Sequence, residues 1–188
     1  MGWRFQVPYL LSLGMQVIVP DMLGYGRTAA PEPATEYSLK KISAHMAHVI
    51  RAVTDEPVIL GGHDWGAALA WRLAIYHPSL FRGIFCFSIP YFPPQPSVPS
   101  LEDVVAQNPF LQYQLQNASS EAENLATKSP AHLRGFLNAI YGGVTPDGLP
   151  GFDLRVGVIQ DRLPHIGPSP FVAPEIMEYF GKNLSFVF

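Results

Sequence analysis

The segment Gly62-His63-Asp64-Trp65-Gly66 joins a short apolar stretch, 57–61, to a helical run, 67–76. Glycines lie two positions before and two positions after Asp64. A sharp strand-to-helix turn requires small residues there, because side chains would collide with the neighbouring strand or helix. The residue at the tip points its side chain into a cleft above the sheet, where the helix dipole favours a carboxylate. Asp64 is therefore a candidate nucleophile; the alternative is that it only caps the helix.

The elements predicted in the first half alternate between helices and strands. Apolar spacing predicts a helix over 3–13, a short buried strand over 16–19, a helix over 38–53 and a further strand over 84–89. Apolar strands joined by helices pair in parallel, with the helices covering the faces of the sheet. The predicted fold class is therefore α/β, with a parallel sheet and flanking helices.

The character of the chain changes at Pro90, because five prolines lie between 90 and 99. Beyond them the patterns predict short helices near 111–117, 131–141 and 174–183, and an irregular surface segment over 142–170. We expect residues 1–93 to form a partial core and residues 94–188 to form a partial helical cap, or lid. A lid of this kind excludes water and selects the substrate.

Composition excludes several classes of protein. The chain of 188 residues is 48% apolar and 14% charged, with a net charge of −3 and no basic cluster, so we predict no nucleic-acid partner. The longest apolar stretch, 84–92, is too short to span a bilayer. Cys86 is the single cysteine, which rules out an internal disulfide. We predict a soluble cytoplasmic protein without metal or cofactor, and leave its oligomeric state open.

The sequence resembles the epoxide hydrolase branch of the α/β-hydrolase fold from Trp3 to Phe188. The match at 62–66 is specific, because most α/β-hydrolases have serine where this chain has Asp64. The segment Pro20-Asp21…Gly24-Tyr25-Gly26 resembles a strand end and tight turn of that family, and Phe110…Tyr113-Gln114-Leu115-Gln116 resembles part of its lid. The resemblance implies an α/β-hydrolase core fragment with a partial cap.

The resemblance also implies a mechanism for a small hydrophobic epoxide substrate. Asp64 would attack an epoxide carbon and form an ester, while Tyr113 would donate a proton to the epoxide oxygen. A water activated by histidine would then hydrolyse the ester, and the N–H of Trp65 would stabilise the oxyanion. The Trp65 ring is interpreted as a pocket wall or as a structural residue, and His63 as a packing residue.

Several parts of the family's machinery have no counterpart in this chain. They are the His-Gly-x-Pro loop, the orienting acid, the second lid tyrosine and the histidine base, which none of the six histidines matches. In the family a further strand lies between the segments at 16–19 and 57–61. We therefore expect unpaired edges on both segments, low stability for the chain alone, a truncated gene product and at most a single turnover.

Two alternatives stay open. Haloalkane dehalogenases use the same aspartate but bind the leaving halide with Trp or Asn donors; Trp65 fits both families, whereas His63 and Tyr113 favour an epoxide. The other alternative is a non-catalytic protein that binds a small hydrophobic ligand, or a fragment that regulates a full-length relative. Intact glycines around Asp64 are features that a pure binder does not require.

Overall fold

The computed structural model describes residues 2–95, 97 and 99–184; positions 96, 98 and 185–188 of the predicted cap lie outside the described residues. The chain divides into two compact units, Met1–Pro94 and Gln95–Phe188. The first unit contains α1 (Gln6–Ser12), α2 (Leu39–Val53), β1 (Val58–His63), α3 (Trp65–Tyr76) and β2 (Phe81–Phe87). The second contains α4 (Leu101–Gln107), α5 (Tyr113–Ala118), α6 (Ser120–Thr127), α7 (Pro130–Ile140), β3 (Phe152–Asp153), β4 (Gly157–Val158) and α8 (Pro174–Leu184). Short 3-10 turns lie at Ala34–Tyr37, Pro78–Leu80, Pro109–Leu111 and Gln160–His165.

The sheet of the first unit is built from β1 and β2, which run parallel with His63 opposite Phe87. The predicted parallel pairing is therefore confirmed. Helices α2 and α3 pack on each other, and α3 packs on both strands. The buried apolar residues of this unit are Ala47, Ile50, Ala67, Leu69, Ala70 and Leu73. Three of these six residues are alanines, which let the two helices approach closely and place the start of α3 firmly against the sheet.

The observed helices and strands differ from the predicted ones in where they begin and end. Helix α1 begins at Gln6 and is followed by Gly14, whose φ of +77° is the predicted left-handed stop. Helix α2 begins after Ser38, whose hydroxyl accepts from Lys41 N–H at 3.4 Å as an N-cap. Strand β2 begins at Phe81 and ends at Phe87, two residues before the predicted end.

The predicted buried strand over 16–19 is wrong. This segment has no strand partner among the described residues, and Gln16, Ile18 and Val19 are exposed. A strand needs backbone hydrogen bonds from a neighbour, which apolar composition alone cannot supply. A groove of about 840 Å³ is lined by this segment together with α1 and β1. Strand β1 pairs with β2 alone among the described residues, so its second edge is open, as expected.

The second unit is helical, with a small antiparallel hairpin of β3 and β4. Leu125, Ala139, Val158 and Leu163 form its core, with Phe136, Phe152 and Ile166 packed against them. The prediction that 142–170 is irregular surface is only partly right. Most of the segment has no regular structure, but it contains the hairpin and a 3-10 turn and contributes two of the core residues. Isolated apolar residues within a Gly- and Pro-rich segment show no periodicity that predicts burial.

Helices α4 and α6 were not predicted. Each is short, seven and eight residues respectively, and begins after a serine whose hydroxyl accepts from a backbone N–H of the first turn. These serines are Ser100, which binds Asp103 N–H, and Ser119, which binds Glu121 N–H. Two turns of helix contain too few apolar positions for a reliable period, so here the capping residues carry the signal.

Candidate active site

Asp64 occupies a strained turn between β1 and α3. Its φ of 54° and ψ of −123° lie outside the regions that residues other than glycine usually adopt, at a cost of about 1–3 kcal/mol. Three backbone hydrogen bonds hold the conformation: Asp64 N–H donates to Phe87 O at 3.2 Å, and Asp64 O accepts from the N–H groups of Ala67 and Ala68 at 2.9 and 3.1 Å. The elbow is therefore fixed by β2 on one side and by α3 on the other.

The side chain of Asp64 is not used to cap the helix. Asp64 stands at the N-cap position of α3, but its carboxylate accepts no capping hydrogen bond from the first turn. The residue is exposed. The interpretation of Asp64 as a simple cap is therefore not supported, and its carboxylate is accessible to an external reagent at the positive end of the helix dipole.

Gly62 is required by the close approach of β1 to α3. A Cβ atom at Gly62 would lie 2.5 Å from Gly66 O and 2.7 Å from Ala67 Cα. The same requirement was predicted for Gly66 and is wrong there, since a Cβ atom at Gly66 would meet nothing within 4 Å apart from its chain neighbours and the adjacent backbone of its own helix. Gly66 lines the open groove, where added atoms have room.

Gly62→Ala should lower the free energy of unfolding by about 1–3 kcal/mol, because the added methyl group collides with backbone that cannot rotate away. Thermal unfolding measures the loss, at about 2–4 °C per kcal/mol for a chain of this size. Gly66→Ala is the matched control and should leave the midpoint unchanged or raise it, because alanine is favoured in helices. Equal losses in the two variants would show that crowding at Gly62 is not the cause.

Trp65 is the first residue of α3 and lies directly beside Asp64. Its side chain is 67% exposed, so the ring is not a core residue of the first unit. Backbone N–H groups in the first turn of a helix have no intrahelical partner and are suited to bind an anion. The Trp65 N–H is therefore available to stabilise negative charge that develops next to the Asp64 carboxyl group.

His63 is exposed, and its interpretation as a packing residue is wrong. Along β1 the residues alternate, so that His63 shares a face with Ile59 and Gly61, which are also exposed. All three residues line the groove, as do the other residues of β1. A side chain that follows the strand period cannot turn to the covered face, and for this reason His63 does not reach the core.

Ser88 is a feature of the elbow that sequence analysis missed. It follows β2 directly and has a φ of +72°, which is uncommon outside glycine. Phe87 O, just before it, accepts from both Asp64 N–H and Ile89 N–H, at 3.2 and 2.9 Å. The predicted strand ran through Ser88 to Ile89, so the sharp turn next to Asp64 was hidden inside it. The Ser-Ile-Pro sequence was the available signal for a strand end.

Tyr113 belongs to the second unit, whereas Asp64 and Trp65 lie together in the first. Tyr113 is the first residue of α5 and is partly buried. Its ring contacts the Phe152 ring edge-on, with the centroids 5.7 Å apart, and its N–H donates to Leu154 O at 3.2 Å. The amide nitrogen of Gln114 donates to the phenol oxygen at 3.4 Å, so the hydroxyl is the acceptor in this contact.

Cys86 is not an alternative nucleophile. It lies in β2, and its thiol contacts Ala67 O at 3.9 Å. Burial raises the pKa of the Cys86 thiol, so the thiol stays protonated at neutral pH and reacts slowly. Within the described residues there is no cluster of His, Cys, Asp and Glu suited to a metal ion. In the same residues no helix is long and apolar enough to cross a membrane.

A family model described as alpha/beta hydrolase fold matches residues 2–139 of the chain. A protein of Neurospora crassa named epoxide hydrolase srdG is 51% identical over 98% of this chain and 56% of its own length. Bifunctional epoxide hydrolase 2 of Sus scrofa is 34% identical over 61% of this chain and 20% of that protein. The chain thus spans about half the length of the first relative and a fifth of the second.

Solved structures of epoxide hydrolases also match nearly the whole of this chain and about half of their own length. The structure of an epoxide hydrolase from an endophytic Streptomyces superposes with a TM-score of 0.75 and 23% sequence identity, covering 98% of this chain and 57% of that chain. The structure of the epoxide hydrolase VrEH1 from Vigna radiata gives a TM-score of 0.72 at 22% identity. At such identities the likeness concerns the fold alone, and it includes both compact units.

Proposed function

The chain belongs to the α/β-hydrolase fold family, and from this premise we propose that it opens small hydrophobic epoxides through an ester on Asp64. The observation that carries the proposal is the exposed and uncapped carboxylate of Asp64 at a strained strand-to-helix elbow. The names of the similar proteins support an epoxide as the substrate class. The division into a partial core, 1–93, and a partial cap, 94–188, is part of the same proposal.

In the first step a carboxylate oxygen of Asp64 attacks an epoxide carbon. The new carbon–oxygen bond forms as the ring carbon–oxygen bond breaks, and the electron pair of the broken bond goes to the epoxide oxygen. The phenol of Tyr113 donates its proton to that oxygen, which leaves a hydroxyalkyl ester on Asp64 and a phenolate on Tyr113. Without a proton donor the leaving oxygen would depart as an alkoxide, which is a poor leaving group.

In the second step water attacks the ester carbonyl, and the Trp65 N–H stabilises the oxyanion. The tetrahedral intermediate collapses as its bond to the alkoxy oxygen breaks, so the diol leaves and the Asp64 carboxylate is restored, while the proton released from water restores the Tyr113 phenol. This step needs a base to remove a proton from the water. Among the described residues, no histidine ring is hydrogen-bonded to the Asp64 side chain. Loss of a general base typically costs about 10²–10⁴-fold in rate, so we expect the ester to accumulate.

Intact mass spectrometry of the purified chain during incubation with styrene oxide tests this proposal. The expected result is an adduct that approaches one epoxide per chain, with no more than about one equivalent of diol released in the same period. Many equivalents of diol without an adduct would show that ester hydrolysis is fast. A folded chain that forms neither adduct nor diol would contradict the proposal as a whole.

A further inference from the structure

Gln116 is a buried polar residue with two hydrogen bonds to one distant backbone position. It is 9% exposed. Its side-chain carbonyl accepts from Val158 N–H at 2.7 Å, and its side-chain nitrogen donates to Val158 O at 3.0 Å. The amide thus pairs with β4 as a neighbouring strand would, and it connects α5 to a segment 42 residues further along the chain.

The remaining hydrogen of the amide is used as well. The side-chain nitrogen of Gln116 also donates to the carboxylate of Glu121 at 3.2 Å, so both of its donors have partners. Gly157 makes room for this arrangement, since its φ is +97° and a Cβ atom there would collide with the Gln116 amide. A fully paired buried amide holds one orientation, because any rotation would leave polar groups unsatisfied.

The hairpin bound by Gln116 also holds Tyr113. Val158 is paired with Phe152 across the hairpin, and the Phe152 ring contacts the Tyr113 ring. The N–H of Tyr113 donates to Leu154 O, in the turn of the same hairpin. These contacts connect four residues in a closed cycle. Tyr113 is joined along α5 to Gln116, Gln116 to Val158, Val158 to Phe152, and Phe152 back to Tyr113.

The spacing of Tyr113 and Gln116 within α5 explains how the contacts of Gln116 fix the position of the phenol. Tyr113 and Gln116 are three positions apart, so their side chains lie on the same side of the helix. Helix α5 has only six residues, too few to be stable without tertiary contacts. The Gln116 amide therefore sets both the distance and the rotation of α5 against the hairpin, and with them the place of the phenol.

We propose that Gln116 is a positioning residue for Tyr113, which holds the phenol where it donates a proton to the opening epoxide. This inference rests on the function proposed above. Gln116 does not itself touch the substrate in this account. Its effect on the reaction passes through the hydroxyl of Tyr113 and disappears when that hydroxyl is removed.

The test compares two isosteric substitutions in the full chain. Gln116→Met keeps the side-chain volume and removes both hydrogen bonds to Val158. Asn138→Leu is the matched control, because Asn138 is also 9% exposed and its side chain accepts from Ser169 N–H at 3.0 Å in the same unit. Gln116→Met should slow ester formation on Asp64 by at least about tenfold, because a misplacement of 1 Å can cost about 10²-fold. Asn138→Leu should change this rate less than twofold.

A double-mutant cycle separates positioning from a general structural role. In a Tyr113→Phe background, Gln116→Met should slow ester formation no further. The same slowing with and without the Tyr113 hydroxyl would overturn the proposal. If Gln116→Met does not fold, Phe152→Leu takes its place in the cycle, since it removes the ring on which Tyr113 packs.

A second readout does not depend on the reaction. With tyrosines labelled by ¹³C at the ring carbon that bears oxygen, the Tyr113 resonance should shift in Gln116→Met and not in Asn138→Leu. If the chain without substitutions forms no ester while the Tyr113 resonance still shifts in Gln116→Met, the proposed function fails and the positioning of Tyr113 by Gln116 stands. A resonance that is the same in both variants and in the unchanged chain would overturn the positioning itself.

Discussion

Asp64→Asn should abolish ester formation with an epoxide and leave the chain nearly as stable as before. An amide is a poor nucleophile, so the first step of the reaction is lost entirely. The side chain of Asp64 makes no capping hydrogen bond that the substitution could remove. Asparagine also tolerates positive φ better than most residues, so the elbow at φ 54° can persist. Intact mass spectrometry measures the first effect. Thermal unfolding measures the second, and the free energy of unfolding should fall by no more than about 1 kcal/mol, because the substitution removes a negative charge from the helix N-terminus.

Asp55→Asn is the control for this variant. Asp55 is exposed, belongs to the same unit and precedes β1, but it does not stand at the elbow. It should keep full ester formation. Adducts that persist in Asp64→Asn would show that epoxides react with other exposed carboxylates. Adducts that vanish in Asp55→Asn would show that Asp55, and not Asp64, carries the ester.

Tyr113→Phe should slow ester formation from styrene oxide by about 10²-fold, the lower range for loss of a general acid. The substitution keeps the ring that contacts Phe152 and removes a hydroxyl whose described hydrogen bond, from Gln114, is long at 3.4 Å. The fold should therefore persist. A primary alkyl bromide of similar size is the matched substrate, because bromide leaves without being protonated. The rate of ester formation from this bromide should therefore not fall in Tyr113→Phe.

The control for Tyr113→Phe is Tyr141→Phe in the same unit, whose ring stacks on Phe180 with centroids 5.9 Å apart. It should react with styrene oxide at the unchanged rate. An equal loss of rate with the epoxide and with the bromide in Tyr113→Phe would mean that Tyr113 shapes the site and does not supply a proton.

The features predicted correctly from the sequence are those that depend on neighbouring residues. The elbow at Asp64, the helix after Ser38 and the left-handed stop at Gly14 follow from local patterns of small, capping and apolar residues. The parallel pairing of β1 and β2 follows from a helical connection between two apolar strands. The family was predicted from the same elbow and is confirmed.

The features that were missed depend on partners far away in the chain. Val17 and its neighbours are apolar, but a strand forms only where another strand offers backbone groups, and none of the described residues does so. The hydrogen bonds between Gln116 and Val158 join residues that no local pattern connects. His63 was assigned to packing from its neighbours in sequence, whereas the strand period places it on the exposed face of β1. The low stability expected from the open edge of β1 stays a prediction.

The most direct test of the account is to locate the adduct by tandem mass spectrometry after incubation with styrene oxide. Peptides that span β1 and the start of α3 should carry one epoxide equivalent as an ester on Asp64, and no other carboxylate should be labelled to a comparable extent. Labelling spread over many exposed carboxylates, or confined to a residue other than Asp64 in a folded chain, would contradict the central claim that the elbow aspartate is the nucleophile.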